Sequence, residues 1–227
     1  MFRLAKESPK LNPISIVPFS YSSLTALAAC YAVAVFAGPK QTLVADSAAT
    51  TKPLTVGAKA PNATLQSLSG KDVSLLSLLK RQRTVLIFYR GGWCPYCNAH
   101  LSDLVTIEQK LTAKGFQIIA ISPDTPAELN NTLTKDHLTY KLFSDSSAEA
   151  MKKFGVAYRL DDPTFSKMKD SYGVDLEKFS GQTHHILPVP SVFVINRDGN
   201  IVYAHSNADY KVRLKASEIL TVIDSMK

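Results

Sequence analysis

Cys94 and Cys97 stand two residues apart in the stretch FYRGGWCPYCNAHL, Phe88 to Leu101, directly after an apolar run. A Cys-Pro-Tyr-Cys can exchange disulfides, reduce a peroxide or grip a metal. A zinc site needs two further ligands, and the sequence contains no second Cys-x-x-Cys. The third cysteine, Cys30, lies in an apolar segment far upstream, so a structural disulfide framework is excluded. Redox use of Cys94 and Cys97 is the reading that remains.

The position of the pair supports that chemistry. A strand that ends in Gly91-Gly92 and turns into a helix places the following residues at a helix N-terminus, where free N–H groups and the dipole stabilise a thiolate. Pro95 suits the first helical position, where a missing donor costs nothing. Cys94 is then expected at an exposed tip, with Cys97 one turn inside and close enough to form a disulfide. The thiolate of lower pKa attacks, and the second thiol resolves the mixed disulfide. His100, one turn past Cys97, is expected to face solvent.

The elements that must hold this pair can be read outward from it. Thr84–Tyr89 (TVLIFY) and Phe116–Ser122 (FQIIAIS) are continuous apolar runs, as in strands buried on both faces. Between them Leu101, Leu104, Val105 and Leu111 share one helical face, and Gly115 stops the helix. Alternation predicts short strands over 63–66 and 73–75, around a Ser69-Gly70 turn. A helix from Thr125-Pro126, a short strand YKLFSD and a helix over 148–154 follow. SVFVIN and IVYAH flank Arg197-Asp198-Gly199, a hairpin signal. In the closing helix Val212, Ala216, Ile219, Leu220 and Ile223 fall on one face. Residues 156–185 show no strong period and are expected to cover one side of the site. The alternation of strands and helices indicates an α/β fold with a mixed sheet flanked by helices.

With 227 residues and a hydrophobic fraction of 45%, the chain can build a sizeable core. Its formal charge is +7, and Arg3, Lys6, Lys10 and Lys40 carry part of that excess. The remaining charge is scattered, without basic runs beside aromatics, so no nucleic-acid partner is expected. Arg3, Lys6 and Lys10 precede the apolar segment Leu24–Gly38, and a small, polar stretch follows it, the order of an export signal. Residues 1–45 are expected to be a signal peptide, cut after Ala37 or Ala45, or an uncut membrane anchor. The folded part is then exported, where disulfides persist. Leu27–Cys30 (LAAC) resembles a lipoprotein box, but the apolar run continues through Phe36, so an unmodified Cys30 is preferred. A linker is expected over 46–54 and the redox domain over 55–227.

The segments VGAKAPNATL, VLIFYRGGWCPYC, IIAIS, LFSD and PSVFVINRDGNIVY together resemble the peroxiredoxin-like branch of the thioredoxin superfamily, related to alkyl hydroperoxide reductase C and thiol-specific antioxidant. The resemblance runs from about Thr55 to the C-terminus and is specific at YRGGWCPYC. It implies a thioredoxin-like fold, thiol-based redox activity, no organic cofactor or metal, and a thioredoxin-like reductant. It also implies a cis-proline at Pro190, whose preceding backbone at Val189 binds extended substrate opposite the cysteines. Trp93, Pro95 and Tyr96 are expected beside that substrate.

The family pattern is broken at three places. Its peroxidatic cysteine falls on Cys97, its threonine on Cys94, its proline on Arg90 and its arginine on Pro190. The groups that orient a peroxide and stabilise its charge are thus replaced, with Arg90 as a candidate substitute cation. Three readings follow. The favoured one is thiol–disulfide exchange, with Cys94 attacking and Cys97 resolving. The alternative is peroxide reduction at Cys97, resolved by Cys94. The third is a membrane-tethered copper chaperone using both cysteines with His184, His185 or His205. Those histidines are expected in ordinary loop or strand roles, and Tyr210 and Arg213 at the surface.

Overall fold

The computed structural model describes residues 43–226. Strands β3 (Arg83–Phe88), β4 (Phe116–Ser122) and β8 (Ser191–Ile195) form the middle of the sheet. Successive side chains on a strand point to opposite faces. Val85, Ile87, Ile118, Ala120, Val192 and Val194 therefore enter one buried cluster, with α2 (Pro95–Ala113) and α7 (Ala216–Ser225). Leu86, Phe88, Ile119, Ile121, Phe193 and Ile195 enter the other, with α1 (Leu75–Leu79) and α4 (Glu149–Lys153). Covered on both faces, these strands have to be apolar throughout.

β1 (Thr64–Gln66), β2 (Asp72–Ser74), β5 (Lys141–Ser144) and β9 (Ile201–Ser206) complete a seven-stranded mixed sheet in the order β2-β1-β5-β4-β3-β8-β9. β3, β4 and β5 run parallel, joined through α2 and α3 (Pro126–Lys135), because a parallel pair needs a crossover. β8 is antiparallel to β3 and turns into β9 at the expected Asp-Gly hairpin, with Gly199 at φ +78°. The fold class is as expected. In one detail the closing helix differs, since α7 begins at Ala216 and Val212 lies outside it, exposed.

Residues 156–185 hold more order than their periodicity suggests: β6 (Ala157–Arg159), α5 (Asp162–Tyr172) and α6 (Leu176–Ser180), with β7 (Ile186–Pro188) following. The signals are at the helix ends. Asp161 accepts from Thr164 N, Asp175 accepts from Glu177 N and Lys178 N, and Gly173 and Gly181 close the helices at φ +66°. α5 buries only Met168, so it carries no apolar stripe to be read.

The end of the expected signal segment, residues 43–45, and the expected linker, 46–54, are laid against β6 and the second core cluster. Ala45 N donates to Ala157 O at 3.0 Å and Arg159 N donates to Ala45 O at 2.9 Å. A 3-10 turn over Ala48–Thr50 follows, and Leu54 N donates to Phe154 O at 3.0 Å. Val44 and Leu54 pack on the second core cluster, which holds the stretch in place. Residues 1–42 of the expected export segment, with Cys30 and Ala37, lie outside the described residues, whereas the second expected cut site, Ala45, lies within them. No helix among the described residues is long and apolar enough to cross a membrane.

The buried Asp145 carboxylate accepts from Ala150 N at 3.1 Å and Met151 N at 2.8 Å, capping α4 from outside the helix. Asp145→Ala leaves both donors unsatisfied and is expected to cost about 1–3 kcal/mol, measured by urea unfolding.

Candidate active site

Strand β3 delivers the chain to the site, and the Gly91-Gly92 turn aims it. A β-carbon on Gly92 would collide with Thr132, and one on Gly91 with the Trp93 indole and the Asp124 carboxylate. Gly92 N donates to Asp124 Oδ2 at 2.7 Å, and Asn98 Nδ2 donates to Gly92 O at 2.9 Å. The turn is thereby tied to the loop after β4 and to the first turn of α2. Cys94 is the N-cap of α2 and Pro95 its first residue, as the sequence predicts. Cys97 N and Asn98 N both donate to Cys94 O at 3.0 Å.

The two sulfurs differ in their protons. Cys97 Sγ donates a hydrogen bond to Cys94 Sγ, the largest influence on Cys94; with its backbone N–H, Arg90 and Arg213 adding to it, this overcomes burial and lowers the Cys94 pKa to about 6. Cys97 is pushed upward by burial first, then by the bond and the charge it shares with Cys94, while Arg213 opposes the shift. Cys94 is the thiolate and Cys97 the thiol. The expected exposed tip is corrected: Cys94 is 1% exposed and Cys97 fully buried. Arg90, Trp93, Tyr96, Met168 and Tyr210 wall the Cys94 sulfur at the base of a cleft of about 460 Å³.

Arg90 is 7% exposed. Its guanidinium lies over the Tyr210 ring at 4.3 Å and the Trp93 ring at 4.9 Å, and hydrogen-bonds the Tyr158 hydroxyl. Tyr96 stands at the rim against Tyr210, with ring centroids 5.8 Å apart. Tyr210, exposed at the surface as expected, and Arg213, half-buried, therefore both border the site. Arg213 Nη2 lies 3.4 Å from Cys97 Sγ, held by donation from Nη1 to the carbonyls of Tyr210 and Val212. His100 is buried beside Arg213, not solvent-facing, and burial pulls its pKa down to about 4, so it is neutral at pH 7. α5 supplies one wall of the cleft through Thr164, Lys167, Met168 and Tyr172, the cover expected of 156–185.

Two expectations fail at Val189 and Pro190. The Val189–Pro190 peptide is trans, and no described residue has a cis peptide. Val189 N donates to Val156 O and Val189 O accepts from Ser191 Oγ, both at 2.8 Å, so this backbone is fastened to its neighbours and offers no free edge to an extended substrate. Neither residue lines the cleft.

The histidines do not complete a metal site. Ile186 N donates to His184 Nδ1, and His184 Nε2 donates to Ser146 O at 2.8 Å. His185 pairs with Glu177 and stacks on Phe165. Among the described residues no group of three His, Cys, Asp or Glu side chains could hold a metal ion. Asp124 was not singled out from the sequence. Fully buried, its carboxyl is raised by desolvation to about 7, against the lowering effect of Gly92 N–H.

A dithiol at a helix N-terminus, at the end of the central strand of a thioredoxin-like fold, defines a thiol oxidoreductase. The chain belongs to the AhpC/TSA family, whose profile matches residues 56–204. A Mycobacterium tuberculosis protein that carries a peroxiredoxin name is 31% identical over 154 residues, 68% of this chain and 86% of its own. The thiol-disulfide oxidoreductase ResA of Bacillus thuringiensis is 22% identical over 161 residues, 70% of this chain and 75% of its own. The crystal structure of peroxidoxin BcpB from M. tuberculosis shares the fold, with TM-score 0.59 at 18% identity over 77% of this chain and 99% of that one.

Alkylation of the reduced protein by iodoacetamide should titrate with a midpoint near pH 6. Cys97→Ala removes the main stabilising bond and should move that midpoint upward. For Asp124 the folded carboxyl holds its proton more tightly than the unfolded one, so its contribution to stability is present below about pH 4 and is lost as pH rises through about 7. Asp124→Asn keeps an acceptor for Gly92 N–H and should flatten the decline in urea midpoint between pH 5 and pH 8.

Proposed function

We propose that the protein is a thiol–disulfide oxidoreductase in which Cys94 attacks and Cys97 resolves. The observation that carries this reading is the asymmetry of the two thiols: the charge is on Cys94, and Cys94 is the sulfur on the cleft wall. The Cys94 thiolate attacks one sulfur of a substrate disulfide, the other sulfur leaves as a thiolate, and a mixed disulfide forms. With its charge spent, Cys94 no longer holds the Cys97 proton. Cys97 then loses that proton, its thiolate is stabilised by the Arg213 guanidinium, and it attacks Cys94 Sγ to release the second product thiolate. A thioredoxin-like reductant returns the dithiol, and no metal or organic cofactor enters the cycle. On this reading residues 1–45 deliver the domain outside the cytoplasm or anchor it there.

Peroxide reduction at Cys97 is the second reading, favoured by one contact. On this reading Arg213, whose Nη2 stands 3.4 Å from Cys97 Sγ, would take the role of the arginine missing at Pro190. There Cys97 would become a sulfenic acid, releasing hydroxide, and Cys94 would condense with it to give the disulfide and water. The complete burial of Cys97 and its raised pKa weigh against it.

The reduced full-length chain is mixed with hydrogen peroxide or with an oxidised thioredoxin-fold protein at pH 7. Disulfide should oxidise it roughly tenfold or more faster than it oxidises a free cysteine, which is only a few per cent thiolate at that pH. Cys97→Ser should trap the mixed disulfide on Cys94, visible by mass. Peroxide should react no faster than with a free thiolate. Rapid build-up of sulfenic acid on Cys97 in Cys94→Ser would instead establish the peroxidase.

A further inference from the structure

The cleft over Cys94 carries charge that the dithiol cycle does not use. Arg90 is more than nine-tenths buried, its Nε has no hydrogen-bond partner, and no Asp or Glu lines the cleft with it. Lys167 lines the same cleft from the exposed side of α5. Neither cation takes part in the four ion pairs formed among the described residues. A desolvated cation without a counter-ion is costly and is normally neutralised by what binds beside it. The Cys94 thiolate neutralises Arg90 only until it attacks, since forming the mixed disulfide removes that charge. From then on the anion at this place has to come from the substrate.

The rest of the cleft says what kind of substrate. Its walls are mainly apolar and aromatic, with Trp93, Tyr96, Tyr172 and Tyr210 around Met168 and Val174. Its volume of about 460 Å³ fits a small organic molecule. The main-chain groups of Val189, on which an extended polypeptide would pair, are already bonded. Recognition by strand addition is closed at that point.

We propose that the substrate of this cleft is a small disulfide carrying an aromatic or apolar body and a carboxylate, bound by Arg90 and Lys167 and clasped by the tyrosines. The inference rests on the disulfide-exchange reading and narrows it. Cys94 attacks the near sulfur, and the far half leaves as a thiolate past Arg90. Cys97 then displaces the near half. One disulfide bond is broken and the Cys94–Cys97 bond formed. Two electrons pass from the dithiol to the small disulfide, which becomes two thiolates, and the Cys97 proton goes to solvent.

The test uses the reduced full-length protein at pH 7 and low salt. Two aromatic probes are compared: 5,5′-dithiobis(2-nitrobenzoate), which is dianionic, and 4,4′-dithiodipyridine, which is neutral. Each rate is divided by that of the same probe with 2-mercaptoethanol, which removes intrinsic reactivity. The normalised rate for the anionic probe should exceed that for the neutral one by about fivefold or more, the scale of one partly screened charge pair. Lys167→Glu, at an exposed position, should abolish or invert the preference, and Lys167→Arg should retain it. Equal normalised rates with oxidation still running through Cys94, or a preference that survives Lys167→Glu, would overturn the assignment and leave disulfide exchange standing. If Cys94→Ser reacts as fast as the parent, disulfide exchange at Cys94 falls and the substrate assignment falls with it.

Discussion

One proton sits between two sulfurs, on Cys97 and directed at Cys94, and the design of the site follows from keeping it there. An N-cap position gives Cys94 the free N–H groups and dipole of a nineteen-residue helix, while Cys97, one turn deeper, is sealed in the core. Desolvation acts on both thiols, but it is answered at Cys94 by hydrogen bonds and at Cys97 only by Arg213. The surrounding architecture holds the two positions unequal. β3 ends where α2 begins, Gly91-Gly92 lets the chain turn without side chains, and the buried Asp124 fixes the turn through Gly92 N–H.

What local sequence could show was mostly shown. The runs at 84–89 and 116–122 have to be central strands because nothing polar interrupts them. Cys94, Pro95 and Gly115 mark the ends of α2 through the chemistry of helix termini. α5 and α6 were missed because they lie over the site and bury little of their own surface, so their signals sit in Asp caps and closing glycines. Arg213, His100 and Asp124 could not be read from spacing. Each acquires its role from burial beside a residue distant in the chain, and an arginine three residues before a closing helix looks like any surface arginine. Pro190 failed for a related reason. A proline before a strand has one sequence appearance whether or not the preceding backbone is free, and here Val189 is already hydrogen-bonded to Val156 and Ser191.

The family pattern and this chain's departures from it also become intelligible together. Where the family places a threonine, proline and arginine around a single reactive cysteine, this protein has a second cysteine and two guanidiniums. Arg90 attends Cys94, and Arg213, in contact with Cys97, acts on both sulfurs. Charge stabilisation has been divided between two thiols, which is what a dithiol that must ionise in sequence requires. The aromatic rings stacked on Arg90 keep it in place without a carboxylate that would cancel its field.

Arg213 meets Cys97 across 116 residues of sequence. It is therefore the last member of the site to leave the ribosome, together with the loop that turns Ala216 N onto Asp103. A growing chain that already displays both cysteines lacks the cation that eases ionisation of the second. In the folded protein burial holds the resolving thiol back, and the one contact that offsets this comes from the C-terminal segment.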